Sequence, residues 1–222
     1  FTVKYAVLLS LLILLISLFL GLLLNQKVKG IKFIKTIYFF PAVMSPIIIG
    51  LIFNEIYYRA LPALGKAAGI GILSKSLVSD TRTAIWAILI ANIWQAVAIP
   101  TVIIIAGLQS ISQELYEVAA IDGAGWWRRF LSITLPFLAP TLTIVLVLAV
   151  KDGFLVFDYI LAITGGGPAG STNSIGTFIY QTAFESFNYS YAVANSVVLF
   201  ILIALFGFLQ IRVMSLVEAK ES

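Results

Sequence analysis

The chain alternates long apolar runs with short polar breaks, and the runs have the length of membrane-crossing helices. Residues 5–24 carry no charge over 20 positions, enough for a helix rising about 1.5 Å per residue to cross about 30 Å of hydrocarbon. The next segment, 25–35, holds Lys27, Lys29, Lys32 and Lys35 and no acid, which marks a cytoplasmic loop. A second span is expected over 36–54. Pro41 and Pro46 lie in its first half, and spans tolerate proline where neighbouring helices satisfy the freed backbone groups. Residues 55–82 are mixed in charge. Pro62, Gly65, Gly69 and Gly71 divide them into an outer connection with room for a short surface helix near 61–68. No charge appears between Arg82 and Glu114, which places a third span at 84–107, kinked at Pro100. A fourth span is expected over 134–160, interrupted by Lys151 and Asp152, and a fifth over 189–211, ending at Arg212. The pattern predicts an all-α, polytopic membrane helix bundle of five spans in one transmembrane domain, 1–222.

Composition agrees with this reading. Of 222 residues, 61% are hydrophobic and 11% charged, and mean hydropathy is +1.06. A soluble domain has about 45–50% apolar and about 25% charged residues. The net charge of +4 is spread over several loops. It suits a membrane orientation signal and not a nucleic-acid surface. Lys27, Lys29, Lys32, Lys35, Arg128, Arg129, Arg212 and Lys220 fall on the side assigned to the cytoplasm. Lys4, Arg59, Lys66, Lys75 and Arg82 fall outside, and the loop ending at 188 has no Lys or Arg. The N-terminus is therefore expected outside and the C-terminus in the cytoplasm. The opening run is too long for a signal-peptide core and lacks a small-residue cleavage site. With no cysteine and no histidine, thiolate chemistry is excluded and the commonest general base and metal ligand are missing. No catalytic or metal site is expected.

One polar interruption, 110–136, differs from the other loops. Its segment EVAAIDGAGWWRRFLSITLP, 117–136, reads as a helix, a break and a second helix. Ser110 and Gln113 fit a capping box, and Glu114 and Glu117 suit the positive end of a helix dipole. Leu115, Ala119 and Ala120 give a small close-packing face, Gly123 and Gly125 permit a sharp turn, and a second helix starts at Trp126.

Glu117, Ala119, Gly123, Ile133, Leu135 and Pro136 match, at the right spacing, the loop signature of the inner-membrane permeases of binding-protein-dependent ABC importers. Val118 alone departs from it, in place of an alanine. The segments FDYILAIT at 157–164, TGGGP at 164–168 and YQTAFESFNYSYAVANSVVLF at 180–200 resemble the carbohydrate branch of these importers, of the maltose-permease type. The resemblance covers essentially the whole chain. It implies a permease subunit with no catalysis of its own, forming half of a translocation pathway with a second, homologous permease across a pseudo-twofold axis. Two separate ATPase subunits would bind ATP and Mg, and an extracytoplasmic solute-binding protein would deliver a sugar or oligosaccharide. The helix near 112–122 would dock on an ATPase. Glu117, Ala119, Ala120, Asp122, Gly123, Gly125 and Arg128 are the residues so assigned to coupling. Such permeases commonly have six core spans starting inside, so a further span is expected to precede Phe1.

Sugar recognition needs amide and carboxylate groups beside aromatic faces, in a cavity near mid-membrane. Asn92, Gln95, Asp152, Phe154 and Phe157 are the candidates, with Trp94 beside them. By distance from the loop signature, the resemblance puts Asn92 and Asp152 near substrate-lining positions. The competing readings are hydrogen-bond glue between helices for Asn92 and Gln95, and an ion pair with Lys151 or a partner chain for Asp152. Asn195 and Ser196 are expected to make packing contacts. Asn54, Glu55, Tyr57 and Tyr58 are expected to be interfacial anchors. The triple glycine at 165–167 lacks the Lys-Ser/Thr of a phosphate loop. Arg128 and Arg129 suit either an ATPase or lipid headgroups. Two alternatives remain: a permease of the same kind for a non-sugar solute, and an ion-coupled secondary transporter using Lys151 and Asp152 as a relay.

Overall fold

Helix is the chain's answer to long runs of Leu, Ile, Val and Phe that must satisfy their backbone groups internally. The computed structural model describes residues 1–26, 30–71 and 74–221, the side chains of Lys32, Ile211 and residues 213–221 excepted. The expectations for Lys27 and Lys29 lie outside the described residues, as does that for the Lys220 side chain. Among the described residues all regular structure is helical. Among the described residues four helices are long and apolar enough to cross a membrane, and a bent pair adds a fifth if the two arms form one span.

Helix α1 (Thr2–Leu24) buries one stripe, Tyr5, Leu9, Ile13, Ser17 and Gly21, the four-residue spacing of a single helix face. Val7, Leu11, Leu15 and Phe19 are exposed on the opposite side. The buried stripe packs mainly on α9 and α6. These contacts are close: a Cβ on Gly153 would lie 2.6 Å from the Ala6 Cα.

The second span differs from its expected place. Helix α2 (Ile31–Phe39) runs into a 3₁₀ turn, Phe40–Val43. The chain then breaks at Met44 and Ser45, both extended, and α3 (Pro46–Glu55) begins. Pro46 explains the break, since its ring forces the preceding residue out of helical geometry while suiting the first helical position itself. The span then continues past residue 54. A π-helical turn, Ile56–Ala60, leads into α4 (Leu61–Ala67), so the apolar helix is Pro46–Ala67. Glu55 does not end it: the helix runs on, and the exposed Glu55 carboxylate lies 3.2 Å from Arg59 one turn further. The short helix expected near 61–68 exists as the last part of this span.

The third span is α5 (Ala84–Ala96) and α6 (Ala98–Gln109), bent by 47° at Val97. Pro100 has no N–H to offer the Ala96 carbonyl one turn back, so the bend falls before the proline. Next come α7 (Gln113–Ile121), α8 (Trp126–Arg129), a π-helical turn (Phe130–Thr134) and α9 (Leu135–Phe154). The fourth span therefore ends at Phe154, not near 160. Residues 155–157 leave the helix before a separate short helix, α10 (Asp158–Ile163). Ser174 stabilises this break from outside the span, donating its hydroxyl to the Val156 carbonyl at 2.7 Å. Ser174 also caps α11 (Ile175–Tyr180) in a reciprocal pair with Thr177. The last helix, α12 (Tyr189–Glu221), contains the fifth span, Tyr189–Gln210.

Candidate functional site: a cavity at three helix breaks and an exposed polar loop

A cavity of about 420 Å³ lies where the interruptions of helix meet. Pro46 comes to it from the first break, Gln95 and Pro100 from the bend, and Val156 and Phe157 from the third break. The end of α9 adds Lys151 and Asp152. Four of the expected pathway residues, Asn92, Gln95, Asp152 and Phe157, line this one space. Phe154 does not: it is buried against Ala6 and Leu199, with its ring 5.2 Å from that of Phe206. Trp94 is exposed and leans on Phe53.

The polar groups of the cavity are tied to the protein. Asn92 is buried and donates its amide to the Tyr5 hydroxyl at 2.8 Å, joining α5 to α1. Gln95 donates to the Met44 carbonyl at 2.6 Å and accepts the Tyr159 hydroxyl. Lys151 and Asp152 pair with each other at 3.0 Å, both half-exposed. Asp158 and Tyr159 also line the cavity, and sequence reasoning passed over them by counting them into a continuing span. Two residues expected at a membrane boundary are instead internal ties. Asn54 donates to the Ile163 carbonyl at 2.8 Å, and buried Tyr57 donates to the Ala87 carbonyl at 3.0 Å. Asn195 and Ser196 bond back to carbonyls of their own helix, those of Tyr191 and Ala192. The TGGGP loop folds on itself, with Thr172 donating to Gly167 and the Gly165 N–H given to the Ile160 carbonyl.

The loop of 110–136 is built differently. Helix α7 has no buried side chain. Its cap is Ser112, whose hydroxyl accepts the Glu114 N–H, whereas Ser110 turns back to donate to the Gly107 carbonyl. The expected box at Ser110 and Gln113 is therefore not formed and the cap passes to Ser112, because α6 continues to Gln109 and leaves Ser110 to satisfy its last turn. Gly123 ends α7 at φ +75°, with the Ala124 N–H returned to the Ala119 carbonyl at 2.9 Å. Leu115, Val118 and Ile121 are exposed along the helix, and Glu117, Ala120, Asp122, Gly125 and Arg128 are exposed as well. A shallow groove runs along Glu114, Leu115, Val118, Ala119 and Asp122. Among the described residues a side-chain hydrogen bond anchors the helix to the spans: the Tyr116 and Thr134 hydroxyls lie 2.9 Å apart. Trp126 stacks on Phe130, centroids 5.5 Å apart.

A polytopic helical membrane protein with a cavity at its helix breaks and an unpartnered helix on one connecting loop is the class that this geometry defines. Residues 13–220 match the family described as "Binding-protein-dependent transport system inner membrane component", and the chain belongs to it. The multiple sugar-binding transport system permease protein MsmF of Streptococcus mutans is 43% identical over 189 residues, which are 85% of this chain and 65% of that protein. A probable starch degradation products transport system permease protein, AmyD of Thermoanaerobacterium thermosulfurigenes, is 33% identical over 95% of this chain and 72% of its own length. The chain thus spans just under two thirds of the streptococcal relative. The fold is that of a chain in the crystal structure of a bacterial ABC transporter involved in the import of the acidic polysaccharide alginate, with a TM-score of 0.82 at 24% identity, over 96% of this chain and 77% of that one.

Proposed function

We propose that this chain is the membrane subunit of an ATP-driven importer and forms half of the pathway for a sugar or oligosaccharide. Its partners in this reading are a second homologous permease, two ATPase subunits that bind ATP and Mg, and an extracytoplasmic binding protein. The N-terminus lies outside and the C-terminus in the cytoplasm, within a single transmembrane domain. The names of the relatives support the sugar. The observation that carries the coupling is α7: a helix with no buried side chain, presenting Leu115, Val118 and Ile121 beside Glu114 and Glu117. Exposed apolar side chains flanked by acids, on a loop outside the bilayer, suit a protein partner better than water. Motion imposed on α7 passes to α9 through the Tyr116–Thr134 bond and the π-helical turn. The ligand would occupy the cavity beside Asn92, Gln95, Asp152 and Phe157.

The test is ATP hydrolysis by the reconstituted complex, with and without binding protein and a panel of neutral, acidic and phosphorylated saccharides. One saccharide should stimulate turnover. Glu117→Ala should reduce the stimulation about 10-fold, within the range of coupling energies between linked sites, without loss of assembly. If no ATPase co-purifies and uptake follows a proton gradient, the proposal fails, and the Lys151–Asp152 pair becomes the centre of an ion-coupled carrier.

A further inference from the structure

The three interruptions of helix that meet at the cavity are joined by one side chain. Gln95 stands on α5, two residues before the bend at Val97. Its Nε2 donates to the carbonyl of Met44, inside the first break, at 2.6 Å. Its Oε1 accepts the hydroxyl of Tyr159, in the first turn of α10 just beyond the third break. Each break is a place where the helical hydrogen-bond ladder stops and adjoining segments can pivot. The segments on either side belong to two packed groups. Helices α3 and α10 pack together and are tied by Asn54 to the Ile163 carbonyl. Helices α1, α6 and α9 pack together as the other group. The bent α5–α6 pair joins them.

We propose that Gln95 is a positioning residue that pins the α3–α10 group to α5, and so holds it in this one arrangement against the α1–α6–α9 group, and that a hydroxylated ligand in the cavity releases the pin by taking over its bonds. The chemistry is a like-for-like exchange. A carboxamide offers two donors and an acceptor oxygen. A sugar hydroxyl can donate to Oε1 in place of Tyr159, and another can accept from Nε2 in place of the Met44 carbonyl. The half-buried amide lines the cavity, so a ligand reaches it directly. Asn92 does different work: its bond runs to Tyr5 and ties α5 to the α1–α6–α9 group without spanning a break. Ligand binding then shifts an existing equilibrium between arrangements by removing contacts that favour one of them. This inference rests on the importer reading given above.

The experiment compares basal and stimulated ATP hydrolysis in the full reconstituted complex for native protein, Gln95→Leu, Tyr159→Phe and the double variant. Loss of the pin should raise basal turnover by about 5-fold or more, the lower end of measured couplings, and shrink the ratio of stimulated to basal rate. Tyr159→Phe should give part of this rise, and the double variant no more than Gln95→Leu alone, since the hydroxyl acts through the amide. Unchanged basal turnover in assembled Gln95→Leu and Tyr159→Phe complexes overturns the pin, as does an additive double variant. If Gln95→Leu fails to assemble, Tyr159→Phe decides alone. Absence of any stimulation in the native complex would instead reject the importer reading.

Discussion

Gly153 sets how closely α1 and α9 approach, and its replacement separates two opposing effects. Alanine is the better helix former by about 1 kcal/mol. However, a Cβ at 153 would sit 2.6 Å from the Cα and 2.9 Å from the Cβ of Ala6, atoms fixed to a neighbouring backbone. Overpacking of this kind costs about 1–3 kcal/mol, so the clash outweighs the propensity gain. Gly207, in α12, has no atom within 4 Å of the same built position, so there the propensity gain stands alone. Gly153→Ala should lower the thermal unfolding midpoint in detergent, while Gly207→Ala should leave it unchanged or raise it. Equal effects at both sites would mean that α1 and α9 do not meet at this glycine. Small residues at such crossings let helices pack in a solvent as apolar as their side chains.

Helix α7 and its turn form an element whose two glycines differ in role. Gly123 has φ +75°, whereas Gly125 has φ −65° and caps α8. Neither has a neighbour that a Cβ would strike. The cost of alanine is therefore conformational alone, about 1–2 kcal/mol at a left-handed position and about 1 kcal/mol or less at a cap already in extended geometry. Gly123→Ala should lower substrate-stimulated ATP hydrolysis several-fold without loss of assembly, and Gly125→Ala should lower it less. Equal behaviour of the two variants would show that the turn plays no part in positioning α7. The break between α7 and α8 was legible in the sequence because glycine advertises it. The division of the second and fourth spans was not. Hydropathy is blind to which carbonyls find outside donors, and that is what allows the chain to leave the helix at Met44–Ser45 and at 155–157. It also reads Glu55 as an end, although the helix runs on past it and Arg59. The site suffers the same way. Asn92, Gln95, Asp152 and Phe157 were visible as polar or aromatic groups in apolar runs. Phe154, the last residue of α9, faces α12 instead, and the third break brings Asp158 and Tyr159 into the cavity.

At the scale of the whole molecule, the bent pair α5–α6 decides the topology, since a helix pair of this kind is either one broken span or a loop that re-enters the side it left. The geometry favours a crossing. The arms have 13 and 12 residues, about 20 and 18 Å at about 1.5 Å per residue. A bend of 47° leaves both arms directed onward and gives an end-to-end reach of about 35 Å, more than the hydrocarbon thickness of about 30 Å. A re-entrant loop needs near reversal. The exposed residues flanking the pair, Ser79 before it and Gln113 after it, should therefore face opposite sides of the membrane. These 222 residues hold no cysteine, so within them a single substitution supplies the one thiol to label. In intact cells a membrane-impermeant maleimide should label Ser79→Cys, and it should label Gln113→Cys only after permeabilisation. Labelling of both from outside would make the pair re-entrant, move α7 out of reach of any cytoplasmic ATPase and remove the basis for coupling through Glu117. Labelling of Gln113→Cys alone would invert the whole chain, and the lysines of 25–35 would then lie outside, against the usual retention of positive charge in the cytoplasm.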